Sequence, residues 1–201
     1  RKGDIAWEND FCTYRIYSQQ VKSKVSSGVD YWGKYVDYPV IEKWYERNGK
    51  GVDYHTDRGE GWDFYAVGKN RGTGGSGVYA EGQLYVAEPY SEYKIISNSR
   101  ELIDFELTYP PYKAGGETIY ESKRIRMFLG THFYEVTSTV RTESGQDVVL
   151  AVGLTAFGNA SVEKDAERAM LCTDEKISDK DGNLGCAVFV PQSSFAGFAV
   201  A

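Results

Sequence analysis

Methionine and proline are scarce in this chain, with two and five residues among 201, and cysteine and histidine number three and two. Each shortage excludes something. The cysteines, at 12, 172 and 186, match no zinc-ligand spacing. Cys172 and Cys186 are near enough in sequence to pair, but an odd count makes disulfides a minor staple and predicts buried free thiols. No apolar run approaches the roughly 20 residues that a membrane helix needs, so no membrane insertion is expected. Basic residues are outnumbered, 23 against 29 acidic, for a net charge of −6 and a pI of about 5.1. No basic stripe is visible, which argues against a nucleic-acid partner. An anionic small ligand stays open, because local arginine geometry outweighs net charge at short range. No heptad pattern or internal repeat occurs. The run R-G-T-G-G-S-G lacks the Gly-Lys-Ser/Thr ending of a phosphate loop and precedes a strand pattern rather than a helix. Arg1 in place of Met predicts a processed or trimmed amino terminus, with any targeting signal removed along with it.

Tyrosine and glycine are abundant. The chain carries 16 Tyr, 9 Phe, 4 Trp and 22 Gly. β-Sheets favour aromatic rings, and extracellular sugar-binding β-proteins carry them too, so composition alone leaves both readings open. An apolar fraction of 41 % and a charged fraction of 26 % suit one soluble domain with a sizeable core.

Residue patterning predicts mostly strands. They are expected at 4–8 and at 11–18, where Cys12, Tyr14 and Ile16 share a face. A short helix or an irregular aromatic segment is expected over 38–47; as a helix it has Pro39 in its first turn and Val40, Ile41, Trp44 and Tyr45 on one side. Eight glycines between 59 and 82 predict a long ordered loop over the mouth of a sheet. A hairpin over 78–87 turns at Glu81-Gly82. Strands follow at 92–97, 101–109, 118–129, 131–142 and 147–154, with Ile103, Phe105, Leu107 and Tyr109 facing inward. Ser161 caps a predicted helix over 161–170. A final buried strand is expected over 185–191. The fold class expected is all-β, an antiparallel β-sandwich, as a single domain over 1–201.

The stretch 54–77, Y-H-T-D-R-G-E-G-W-D-F-Y-A-V-G-K-N-R-G-T-G-G-S-G, concentrates polar chemistry, aromatic surface and backbone freedom. His55 is the candidate general acid or base, since an imidazole titrates near neutrality. In an extended segment, Asp57 would share its side and orient it. Glu60 and Asp63 add carboxylates, Trp62 and Tyr65 add aromatic surface, and Arg58 and Arg71 flank the group. The competing reading is a solvated surface loop, against which the aromatic content counts. One histidine with carboxylates has the donor types of a hard divalent ion, so a metal stays open, although neither HExxH nor EF-hand spacing is present. His132 is expected mid-strand as a structural histidine.

The blocks D-I-A-W-E-N-D, G-V-D-Y-W-G-K, Y-P-V-I-E-K-W-Y and Y-H-T-D-R-G-E-G-W-D-F-Y-A-V-G resemble the bacterial domain-of-unknown-function family 4861. The resemblance runs over most of the amino-terminal half and weakens after Tyr109. It implies a galactose-mutarotase-like supersandwich, a setting beside polysaccharide-degrading enzymes, and a periplasmic or secreted location. Family members are longer, so further strands and site residues are expected outside 1–201. By similarity to an ulvan-oligosaccharide dehydratase, it implies elimination on a uronic-acid-containing oligosaccharide. That chemistry needs a base for the C5 proton, a cation on the carboxylate and an acid for the leaving oxygen. Under it, His55 is base or acid, with Tyr65 or Tyr109 as its partner. Arg58 or Arg71 clamps the carboxylate, and Asp57 orients His55. Glu60 and Asp63 bind sugar hydroxyls, and Trp62 stacks on a sugar face. The alternatives are a non-catalytic glycan-binding module, a glycoside hydrolase with paired carboxylates, or a mutarotase-like enzyme.

Overall fold

The computed structural model describes residues 3–200. Its first strands form a meander. β1 (Ile5–Glu8), β2 (Thr13–Ile16) and β3 (Asp30–Lys34) pair antiparallel in sequence order, and the two-residue β4 (Gly61–Trp62) adds to β3. Between β3 and β4 runs α1 (Ile41–Gly49), the one α-helix among the described residues. Helical spacing places Ile41, Trp44 and Tyr45 against Trp32, and this packing holds the helix. Val40 contributes no side-chain cap. Instead Glu8 accepts hydrogen bonds from the backbone N–H groups of Val40 and Ile41, at 2.9 and 3.0 Å. A carboxylate at the helix start satisfies its orphan donors and complements its dipole. Pro39 therefore precedes the helix rather than opening it.

The glycine run departs from expectation. Part of it is strand: β5 (Thr73–Ala80) lies at the centre of a three-stranded sheet. Glycine is required there by close backbone approach. A Cβ at Gly75 would stand 2.5 Å from the Arg71 carbonyl oxygen and 3.1 Å from Gly28 Cα. High glycine density thus marks a crowded strand as well as a loop. The hairpin to β6 (Gln83–Tyr85) turns through Glu81 and Gly82 as predicted, with both in the left-handed region at φ +53° and +74°.

The largest sheet follows. β7 (Glu92–Asn98), β8 (Leu102–Thr108), β9 (Tyr112–Ala114), β10 (Glu117–Phe128) and β11 (Tyr134–Thr142) assemble in the order β11-β10-β8-β7, with β9 also on β10. In β10, strict alternation buries Ile119, Glu121, Lys123, Ile125 and Met127. Phe105 and Leu107 of β8 join Ile125 and Met127 against Trp7, Tyr14 and Ile16 of the first sheet. The ring centroids of Trp7 and Phe105 are 5.2 Å apart, and those of Tyr14 and Tyr134 are 4.7 Å apart. Two antiparallel sheets thus face each other over an aromatic core, a sandwich-like arrangement.

β12 (Val149–Leu154) returns to pair with β5. The last sheet is β13 (Ser161–Asp165), β14 (Met170–Ser178) and β15 (Gly182–Phe189). The predicted helix over 161–170 is therefore a hairpin. Ala169 sits at φ +48°, Asp165 accepts a bond from the Arg168 N–H, and Val162 pairs with Thr173. Helix-forming residues lose here to strand pairing, because a helix would bury only a sparse apolar stripe. β15 is also less buried than expected, with Phe189 exposed. His132 lies in the turn before β11, exposed, and stacks on Phe11 at 4.4 Å. All three cysteines are free, with Cys12 buried and the other two half-buried. Cys186 pairs in register with Thr173, so it and Cys172 point to opposite faces. No helix among the described residues is long and apolar enough to cross a membrane.

Candidate functional site

The site is built outward from a buried carboxylate. Asp30 opens β3 with no exposed surface, and an isolated charge there would be costly. Its register partner on β2 is Arg15. Arg15 Nε donates to Asp30 Oδ2 at 2.9 Å, and the hydroxyl of Tyr17 donates to the same oxygen at 2.8 Å. The guanidinium also lies over the rings of Tyr17 and Trp32, at 4.8 and 5.0 Å from their centroids. It further donates to the hydroxyl of Tyr54 at 3.2 Å and to Asp63 at 3.3 Å. Arg15 therefore sorts two acids. Asp30 takes the closer contact, 2.6 Å, and Asp63 the weaker one. Burial and the charge of Asp30 outweigh that contact and raise the Asp63 carboxyl to about 8.

An aromatic column carries this network to the surface. Trp44 stacks on Trp32 at 5.9 Å, Tyr54 lies tilted against Trp32 at 5.2 Å, and His55 stacks on Tyr54 at 4.4 Å. The exposed imidazole at its end is held on both sides. Nδ1 lies 2.7 Å from Asp53 Oδ1, and Nε2 lies 3.5 Å from Asp63 Oδ2. Asp53 also accepts the backbone N–H of His55, a local turn contact that places the carboxylate beside the ring. Such a ring can exchange a proton at one nitrogen while a carboxylate orients the other.

Beside it runs a shallow cleft between α1 and the segment 52–61. Trp44, Tyr54, Arg47, Asp53, Arg58 and Glu60 line it. Glu60 is held by Lys43, by Arg47 at 2.8 Å and by the Tyr38 hydroxyl at 2.6 Å. Burial pushes the Glu60 carboxyl up, but Lys43, Tyr38 and Arg47 outweigh it and bring it down to about 2. Arg58 is exposed and has no hydrogen bond or ion pair within the described residues.

The expected residues divide into two sets. His55, Arg58, Glu60 and Asp63 gather at or beside the cleft. Asp57 does not orient His55; Asp53 does. Residues 54–56 form a turn rather than an extended segment, so the period-two argument fails there. Asp57 instead accepts the N–H groups of Gly59 and Gly61, at 2.8 and 3.3 Å. Asp63 has a side chain only 2 % exposed and supports His55 from beneath, so a hydroxyl-binding role meets no open carboxylate. Trp62 is half-buried in β4, tilted against Phe64 at 5.2 Å.

The other set is packed elsewhere. Tyr65 is buried edge-on to Phe157 at 5.3 Å. Arg71 is buried and donates to Ser27 Oγ, to Ser26 Oγ and to the Ser76 and Lys69 carbonyls. Tyr109 is buried beneath Lys123, whose Nζ lies 4.5 Å from the ring centroid. Its hydroxyl has no partner, and none of these three residues lines the cleft. Sequence reasoning missed Arg15, Asp30, Asp53 and Tyr54. The available signals were charges set within strand patterns at 15 and 30, and a carboxylate two residues before His55. Among the described residues, no group of three or more His, Cys, Asp or Glu side chains could hold a metal ion.

Comparison with known proteins adds a family. Residues 1–199 match the model described as "Domain of unknown function (DUF4861)". The chain is similar to "Uncharacterized protein P7" of Formosa agariphila, 32 % identical over 203 residues, covering 96 % of this chain and 50 % of that protein. The chain thus spans about half the length of the curated relative it matches. No solved structure matches it.

Proposed function

The chain belongs to the DUF4861 family, and from that premise we propose that its cleft is a glycan site for an acidic sugar. One observation carries the reading. An unpaired, exposed Arg58 stands at a cleft whose aromatic wall, Trp44 and Tyr54, continues into His55. A sugar offers aromatic rings its C–H face and offers charged side chains its hydroxyls. A uronate adds a carboxylate, which matches a free guanidinium in shape and charge. Glu60 at the same cleft is already held by two cations, which leaves Arg58 as the group for a ligand carboxylate.

A second reading is elimination on the same uronate, favoured by the Asp53–His55–Asp63 arrangement. His55 would take the C5 proton, and Arg58 would stabilise the charge growing on the carboxylate. The pair of electrons from C5–H would form the C4–C5 double bond as the C4–O bond breaks. The departing oxygen needs a proton. Tyr65 and Tyr109, proposed for that step, are buried in other clusters and would reach the cleft only by rearrangement. Recognition therefore stands first. The finer fold assignment, a galactose-mutarotase-like supersandwich, and a periplasmic or secreted location belong to the same proposal.

Titration calorimetry with an oligogalacturonate and a neutral oligosaccharide tests it. Binding of the uronate, lost in Arg58→Ala, is the expected result; equal affinity for the neutral sugar would remove the role of Arg58. Ultraviolet absorbance from a new conjugated double bond selects elimination. Cleavage without that absorbance indicates hydrolysis, and an anomeric change alone indicates a mutarotase.

A further inference from the structure

The cleft contains a turn, 57–61, that is pinned at its far end, where Gly61 pairs with Lys34 of β3, and is open at Gly59. Residues 57–61 include two glycines in the left-handed region, Gly59 at φ +88° and Gly61 at φ +108°. No atom lies within 4 Å of a Cβ built on Gly59, so no packing restrains that point. Glycine-rich turns have more conformational freedom to lose on ordering than other segments. On the inner side Glu60 is tied to α1 through Lys43 and Arg47. On the outer side stands the tip of the β14–β15 hairpin, more than a hundred residues away in sequence.

That tip is ordered from within. Ser178 donates to Asp181 Oδ2 at 2.6 Å, and its Oγ accepts the N–H groups of Lys180 and Asp181. It reaches the turn by two routes. Lys180 Nζ donates to Asp57 Oδ2 at 2.5 Å. Asp181 Oδ1 accepts from the Tyr35 hydroxyl at 2.7 Å, and the backbone N–H of Tyr35 donates to the Glu60 carbonyl at 3.0 Å. Asp57 is the residue whose other oxygen accepts the amides of Gly59 and Gly61. The hairpin therefore grips the carboxylate that folds the turn, with Arg58 directly after it.

We propose that Lys180 and Asp181 are positioning residues for the cleft, latching the 57–61 turn from a distant hairpin so that Arg58 is presented at its mouth. This rests on the glycan reading above for its purpose, though not for its existence. Lys180 is largely exposed, so the latch is a modest one; exposed pairs shift an equilibrium by up to about fivefold.

Amide exchange at Gly59 and Gly61, measured without ligand, reads the latch directly. Lys180→Ala should speed that exchange by up to about fivefold, and Lys180→Arg should restore it. Affinity for the oligogalacturonate should fall by a similar factor in Lys180→Ala and recover in Lys180→Arg. Asp179→Asn, which removes the Lys176–Asp179 pair on the same tip without touching the turn, should change neither. Unchanged exchange in Lys180→Ala overturns the latch, and faster exchange with unchanged affinity overturns its positioning role. If the wild-type chain binds no uronate, the glycan reading falls, and the exchange arm alone decides whether the latch exists.

Discussion

Nε2 of His55 lies 3.5 Å from Oδ2 of Asp63, joining a ring that is 55 % exposed to a carboxylate that is 2 % exposed. The contact crosses from solvent to core within one side chain. It makes His55 the outlet of a network whose other members, Arg15, Asp30 and Tyr54, serve packing as much as chemistry.

His55→Ala should leave the fold intact. Its side chain fills no core space, so stability should move by no more than about 0.5 kcal/mol, measured by urea denaturation. Uronate affinity should drop, and any elimination activity should vanish. Full affinity and activity in this variant would sink its role.

Asp30→Ala should be far more damaging. Arg15 would keep a buried guanidinium with only the weaker contact to Asp63, and breaking such a pair costs about 3–5 kcal/mol. A loss below about 1 kcal/mol in the same assay would show that Asp63 or solvent takes over as counter-ion.

Glu60 and Asp63 should bend the stability–pH curve in opposite directions. Glu60 is lowered from 4.5 to about 2, so its contribution is fully present above 4.5 and is lost as pH falls through about 2. Asp63 is raised from 3.8 to about 8, so the folded state binds more protons there. Its contribution is present below 3.8 and lost as pH rises through about 8. Denaturation midpoints against pH should show Glu60→Gln flattening the curve between about 2 and 4.5, and Asp63→Asn flattening it between 3.8 and about 8. Parallel curves for all three proteins would contradict both assignments.

Gly75→Ala should destabilise by about 1–3 kcal/mol, because the added carbon meets the Arg71 carbonyl and Gly28 in a packed strand. Gly158→Ala, with open space around it and no left-handed backbone, is the control and should be near neutral. Equal effects at the two positions would mean that β5 has room to shift.

Much of the fold was legible because strand alternation is a local property. Ile103, Phe105, Leu107 and Tyr109 recur at every second position and do pack into the core, and the Glu81-Gly82 turn is a two-residue signal. The site was legible in part for the same reason. The stretch from His55 to Asp63 collects ring, charge and glycine within ten residues, and His55, Arg58, Glu60 and Asp63 lie at or beside one cleft, whereas Asp57 and Trp62 turn elsewhere.

Pairing was not legible, and it decided the rest. The residues 163–170 are rich in helix-forming side chains, yet the segment folds as a hairpin in which 161–165 pair with 170–174. The glycines at 75 and 77 look like loop until the backbone of Arg71 and Tyr85 is seen against them. Asp57 and Asp53 stand two residues either side of His55 with equal claims on its ring; a turn, rather than an extended chain, gave the contact to Asp53. Arg15 met Asp63, and Lys180 met Asp57, across 48 and 123 residues. By itself the sequence determined where the chain alternates, where it turns and where its chemistry is concentrated. Which carboxylate is buried, which is shared and which orients the imidazole were decided only in three dimensions, because a charge takes its character from neighbours that the order of residues does not specify.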